Sequence, residues 1–290
     1  MGIVLGLLTA LTWGGSDFLA RFATRQIGAL RALLYMQFFG FLLLSFFLPW
    51  LGGFGHLADG SGWPPWGWGI LAGCLNVLGT MALYRSFEIG KMAVVAPVSA
   101  SYPALTLLLS WIAGEKLTGF RAAGIVLTLA GAMVVAGGEK APSDNADEKA
   151  HGAGNGIIWA AIAAIVYGVL FWLLGIRIVP RLGAAQTVWM IRAVGVLLST
   201  GVLLLFRKPL KLPRTNVWPL ALSMGTLDTS AFVLSNLGMQ LEQVAVVSVL
   251  GSLYGAVTVG LAVIFLREHV SRWQWIGILT IFGGVLLIGR

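Results

Sequence analysis

Ten stretches of about 20 apolar residues follow one another along this chain, parted only by short polar breaks, and each is long enough to cross a bilayer as a helix. They run over residues 2–22, 30–51, 66–86, 92–113, 119–137, 155–175, 184–206, 217–237, 244–266 and 273–289. Hydrocarbon offers no water to bond a peptide group, so each stretch must satisfy its own backbone, which a helix does. Only 10% of the residues are charged and 58% are hydrophobic, whereas a soluble domain carries about a quarter charged residues. The pattern predicts an all-α membrane protein with ten transmembrane helices. The first stretch has no basic residue ahead of it and is interrupted by Trp13-Gly14-Gly15 and Asp17. It reads as a retained helix and not as a cleavable signal peptide.

The chain also repeats itself. "AVVAPVSASYPALT" at 93–106 aligns with "AVVSVLGSLYGAVT" at 245–258, with Ala, Val, Val, Tyr, Ala and Thr in register. "GIVLGLLTALTWG" (2–14) aligns with "GIIWAAIAAIVYG" (156–168), and "GALRALLYMQFFGFLLLS" (28–45) with "GAAQTVWMIRAVGVLLST" (183–200). "GEKLTGFRAAGIVLTLAGAMVV" (114–135) aligns with "REHVSRWQWIGILTIFGGVLLI" (267–288), pairing Glu115 with Glu268, Gly124 with Gly277 and Gly131 with Gly284. Between the copies lies the hydrophilic "GGEKAPSDNADEKAHGAGN" of 137–155, which reads as a linker. The organisation expected is a first five-helix repeat over 1–137, a linker over 138–154 and a second repeat over 155–290. An odd number of spans per copy sets the second copy upside down. Such two inverted five-helix repeats recur in secondary transporters, where exchanging the halves' conformations moves the opening from one side to the other.

The Trp-Gly of the first span, "SYPALTLLLSWIAGEKLT" across spans 4 and 5, and "YGAVTVGLAVIFLREHVSRWQWIGILTIFGG" near the end resemble the EamA-like, ten-helix branch of the drug/metabolite transporter superfamily. The resemblance covers nearly the whole chain, and its most specific element is the Gly-Glu-Lys-Leu-Thr type of turn after spans 4 and 9. The second copy departs from that turn, with Arg267 and His269 in place of Gly114 and Lys116. The resemblance implies cytoplasmic termini. The basic residues point the other way: thirteen of the nineteen Lys and Arg follow odd-numbered spans, which by the positive-inside rule puts the termini outside.

Several function classes are excluded. The net charge of +8 is spread over helix ends and does not form a nucleic-acid-binding face. His56, His151 and His269 all lie outside the spans, and there is no His-Glu-x-x-His, so no intramembrane hydrolase or metal site is expected. Cys74 is the only cysteine, which rules out an internal disulfide. No cofactor is expected. No ring of like charge marks a channel.

Ionisable residues at membrane depth are costly and mark substrate or ion paths. Arg192 and Asp228 lie inside spans 7 and 8, and their repeat counterparts are the neutral Gln37 and Asn76. These four suggest a pocket in which Arg192 takes a carboxylate through two parallel hydrogen bonds and Asp228 takes an amine or a proton. A buried ion pair of purely structural role is the alternative. Tyr102 and Tyr254 are repeat partners in spans broken by Pro97, Pro103, Gly251 and Gly255, and Trp13 and Tyr167 are partners on spans 1 and 6. All four are candidate cavity walls. Asp17 is a further candidate, one turn from Arg21 and in position for an i,i+4 pair. Glu115 and Glu268 read as caps at the starts of spans 5 and 10. The function expected is secondary transport, as exporter or exchanger, of a small polar metabolite such as an amino acid by alternating access across the inner membrane. The alternatives are a lipid-linked sugar flippase subunit and a non-transporting scaffold or receptor. The partners expected are that small molecule and the lipid bilayer, with no nucleic acid; a homodimer is left open.

Overall fold

The computed structural model describes residues 1–290 apart from 54, 56–59, 61, 115, 117, 138–145, 208–216, 242–243 and 289–290. Among the described residues every regular element is helical: α1 (Gly2–Ile27), α2 (Ala29–Phe47), α3 (Pro64–Ile89), α4 (Met92–Ser99), α5 (Tyr102–Ile112), α6 (Gly119–Gly137), α7 (Ala146–Leu173), α8 (Val179–Leu182), α9 (Ala184–Leu205), α10 (Trp218–Leu241), α11 (Val244–Ser252), α12 (Tyr254–Phe265) and α13 (Arg272–Ile288). A π turn, Leu174–Ile178, joins α7 to α8. Of the expected linker, residues 138–145 lie outside the described residues, while α7 starts at Ala146 and takes in the remainder.

Seven stretches are long and apolar enough to cross a membrane: Gly2–Ile27, Ala29–Leu51, Pro64–Ile89, Met92–Ile112, Asn155–Leu182, Ala184–Leu205 and Val246–Phe265. Gly119–Val135 and Arg272–Ile288 are apolar but shorter. α10 is 24 residues long, and Asp228, Asn236 and Gln240 dilute its hydropathy. The packing is inverted relative to a water-soluble protein. Leu11, Leu78, Met133, Leu197 and Ile264 face outward with 59–72% of their surface exposed, and Asp17, Gln37, Asn76 and Arg192 are buried. An apolar exterior of this extent suits lipid and would be a large unpartnered patch in water.

Two breaks position the site. α4 gives way to α5 at Ala100–Ser101, between Pro97 and Pro103. α11 gives way to α12 at Leu253, between Gly251 and Gly255. Carbonyls freed at a break need new donors. Ser99 and Ser101 Oγ donate back to the Ala96 and Val98 carbonyls at 2.9 and 2.7 Å, and Ser252 Oγ donates to the Val249 carbonyl at 2.8 Å. The turns before α2 and α9 also match: Gly28 and Gly183, repeat partners in the sequence, have φ of 81° and 77°. That left-handed region is open to glycine at little cost.

α6 and α13 cross at glycines. A methyl group added at Gly284 would lie 2.6 Å from the Thr128 backbone nitrogen and 2.7 Å from the Gly124 carbonyl oxygen, whereas one added at Gly283 would meet nothing within 4 Å. Gly284→Val therefore overpacks the crossing and is expected to cost about 1–3 kcal/mol, while Gly283→Val leaves stability unchanged. Thermal unfolding of the two purified variants checks the contrast.

Candidate functional site

The central side chain of the bundle is Arg192 on α9, which has no exposed surface. A buried guanidinium is tolerated only if its donors are met. Its Nη2 donates to Asp228 Oδ2 on α10 at 2.5 Å, and Nη1 donates to Gln37 Oε1 on α2 at 2.7 Å. Gln37 Nε2 in turn donates to Asn76 Oδ1 on α3 at 2.8 Å. The four polar residues singled out from the repeat thus form one connected chain of hydrogen bonds across four helices. Space for it comes from small residues: an added Cβ at Gly40 would lie 3.0 Å from Arg192 Cδ, and one at Gly195 would lie 2.5 Å from Gln37 Cδ.

Next to this network is a small cavity of about 20 Å³, enough for one water molecule. Trp13, Asp17, Tyr102, Tyr167, Asp228 and Tyr254 line it, and Leu83, Phe171 and Phe232 complete its wall. Six of the nine sequence candidates therefore meet around one space. Arg192, Gln37 and Asn76 stand behind it. The Phe232 ring centroid is 5.2 Å from Arg192 Cζ, so this ring on the wall covers the guanidinium. Asp228 is the member shared by network and cavity, and the Trp13 indole approaches its carboxylate.

The aromatic wall is packed as a unit. Trp13 meets Phe171, Phe232 and Tyr254 edge to face at 5.6, 5.1 and 6.1 Å between ring centroids, and Tyr102 stacks on Phe171 at 4.7 Å. Each phenol hydroxyl is engaged elsewhere. Tyr102 donates to the Ser248 carbonyl of α11 at 3.1 Å, Tyr254 pairs with Ser99 Oγ of α4 at 3.1 Å, and Tyr167 pairs with Thr80 Oγ1 at 2.9 Å. The tyrosine at the break in each copy is thus tied to the broken helix of the other copy.

The two ends of the bundle are closed differently. At one end, Arg21 Nη2 pairs with Glu268 at 3.1 Å, and Arg21 Nη1 donates to the carbonyls of Phe87 and Gly90. Glu268 accepts from the backbone N–H groups of Met92 and Ala93 at 3.2 and 2.8 Å. This latch joins α1, the end of α3, the start of α4 and the loop before α13. It corrects two sequence expectations. Arg21 turns away from Asp17, because the bare carbonyls at the end of α3 and Glu268 lie within its reach. Glu268 caps α4 of the other copy instead of α13; Ser271 and Gln274 exchange side-chain-to-backbone bonds at the start of α13. Glu115 lies outside the described residues. At the other end, a vestibule of about 280 Å³ opens among Thr106, Ser110, Arg121, Trp172 and Ser248. Gly175, which the repeat places over Arg21, supplies no cation there.

Sequence reasoning missed Phe171, Phe232, Leu83 and the latch. Phe171 and Phe232 follow Tyr167 and Asp228 by four residues, so helical periodicity could have placed them on the same faces. No local signal joins Arg21 to Glu268, 247 residues away.

The EamA-like transporter family model matches residues 1–137 and again 154–290. An uncharacterized transporter, YxxF, of Bacillus subtilis (strain 168) is 26% identical over 220 residues, covering 75% of this chain and 68% of its own. A solved crystal structure at 21% identity superposes with a TM-score of 0.72, over 99% of this chain and 95% of the other, and shares the fold.

The buried network makes an energetic prediction. Arg192→Gln or Asp228→Asn alone leaves one group uncompensated and is expected to destabilise by about 3–5 kcal/mol. The double variant copies the neutral pair Gln37 and Asn76 and recovers most of that loss. Melting temperatures of the three purified variants test this.

Proposed function

Because the chain belongs to the EamA-like transporter family and is a membrane transporter, not an enzyme, we propose that it moves a small polar metabolite by alternating access through the central cavity. On this reading α4–α5 and α11–α12 each form one span, α7–α8 forms another, and α6, α10 and α13 bring the total to ten. The spans make two inverted five-helix repeats on either side of the 138–154 linker, set in the cell membrane. Three observations support the duplication: the family matches each half separately, Gly28 and Gly183 share one backbone conformation, and the two tyrosine ties are reciprocal. The latch end carries most of the basic residues and on that count faces the cytoplasm.

The observation that carries the reading is the reciprocal tie of the two tyrosines beside one small central cavity. Tyr102 separates the cavity from the vestibule, since it lines the one while its partner Ser248 lines the other. Tyr254 holds α12 to α4, whose first turn the latch fixes. Releasing one tie while keeping the other opens the cavity to one side only. The exporter or exchanger direction belongs to this proposal, as do the nine candidate residues as its binding and supporting set.

Single cysteines at Tyr102 and Tyr254 in a Cys74→Ala background test it. Each is expected to react with a membrane-impermeant maleimide in proteoliposomes, Tyr102→Cys from the vestibule side and Tyr254→Cys from the latch side. Modification of both by lipid-soluble reagents alone would place them in lipid and remove the pathway.

A further inference from the structure

The cavity wall contains two carboxylates, and among the described residues the only cation paired with either stands behind that wall. Asp17 is 5% exposed, lines the cavity, and makes no hydrogen bond or ion pair with any described residue. A carboxylate so placed is expensive unless something charged completes it. The chain has a cation one turn away and does not use it, because Arg21 is committed to Glu268 and to the carbonyls of Phe87 and Gly90. Asp228 already holds Arg192 through Oδ2. With both carboxylates ionised, one negative charge is left over, and it sits on Asp17.

The remainder of the wall is suited to the same kind of guest. Its rings supply π faces, which attract a cation at about 6 Å or less from the ring centre, more strongly once water is excluded. The hydroxyls of Tyr102 and Tyr254 are spent on the Ser248 carbonyl and on Ser99 Oγ, which itself donates to the Ala96 carbonyl, so they are not spare donors for an anion; the Tyr167 hydroxyl is paired with Thr80. The guanidinium that could have held a carboxylate is wholly buried behind Phe232 and Asp228.

We infer that the central cavity is an organic-cation site, in which Asp17 is the counter-ion to an ammonium group and the rings of Trp13, Tyr254 and their neighbours enclose its apolar part. The inference rests on the cavity being the transport site and adds the charge class of the guest. At about 20 Å³ the site is shut, so a guest larger than water enters only as the walls part.

A matched series tests the charge class. The purified full chain in nanodiscs is titrated with phenethylamine and benzyltrimethylammonium, and in parallel with neutral 2-phenylethanol, anionic 3-phenylpropionate and zwitterionic phenylalanine. Thermal stabilisation and tryptophan fluorescence are the readouts. The two ammonium compounds are expected to bind, and the neutral and anionic analogues are not. Asp17→Asn should weaken ammonium binding about tenfold or more, and Asp17→Glu should retain it. Stronger binding of 3-phenylpropionate or phenylalanine, ammonium binding indifferent to Asp17→Asn, or no ammonium binding at all overturns the inference. Leu83→Trp fills the cavity and separates the two levels of the argument. If an anion or zwitterion binds and Leu83→Trp abolishes it, the cavity stands as the site and only the charge assignment falls. If whatever binds ignores Leu83→Trp, the proposed pathway falls with it.

Discussion

A guanidinium with no exposed surface in the middle of a lipid-facing bundle is the constraint around which the structure is organised. Arg192 is met through its two Nη groups by Asp228 and Gln37, with Asn76 bonded behind Gln37, while its Nε has no partner among the described residues. Those contacts fix the relative positions of α2, α3, α9 and α10, two helices from each half. They also orient Asp228 toward the cavity while keeping the cation out of it. On the proposed function the cost of burying the pair serves the charge on the cavity wall, since neutral groups of similar size would be expected to leave a bundle that still packs.

Around that set the broken helices are the parts proposed to move. A continuous helix spanning the bilayer satisfies its own backbone and resists bending, whereas α4–α5 and α11–α12 are interrupted at matching positions and mended by serine hydroxyls. The ties that hold them are single hydrogen bonds from Tyr102 and Tyr254. The tighter closure is at the opposite end from the vestibule, where one guanidinium and one carboxylate hold four segments. Two single-bond ties at the centre and one ionic latch at one end thus hold the bundle, with the vestibule at the other end.

Much of this was legible in the sequence, for a specific reason. On the proposed inverted duplication, equivalent positions that lie near the pseudo-two-fold axis come close together, so aligning the copies points to residues of one central region. Gln37 with Arg192, Asn76 with Asp228, Tyr102 with Tyr254 and Trp13 with Tyr167 were paired by register alone, and each residue lies in the network or on the cavity. The alignment could not reveal how side chains divide between the two. Arg192 and Asp228 look equally available in the sequence, yet Phe232 covers one and leaves the other on the wall. The latch was hidden because Arg21 and Glu268 are not repeat partners. Nothing in the spacing of Glu268 from Arg272 says that its carboxylate will reach across to the first turn of α4. The polar residues that bring α10 into the buried network also lower its apolar signal as a span.

The claim that the two ends open in alternation can be tested without knowing the substrate, because the latch itself can be broken. Spin labels at Thr118 and Arg177 would report the vestibule mouth, and labels at Arg25 and Ser271 the latch mouth. Their distance distributions in nanodiscs would be compared before and after Arg21→Met. Loss of the latch should lengthen the Arg25–Ser271 distances and shorten the Thr118–Arg177 distances in the same sample. If both pairs lengthened together, or the latch pair lengthened while the vestibule pair stayed fixed, the two mouths would be independent and alternating access through this cavity would be contradicted.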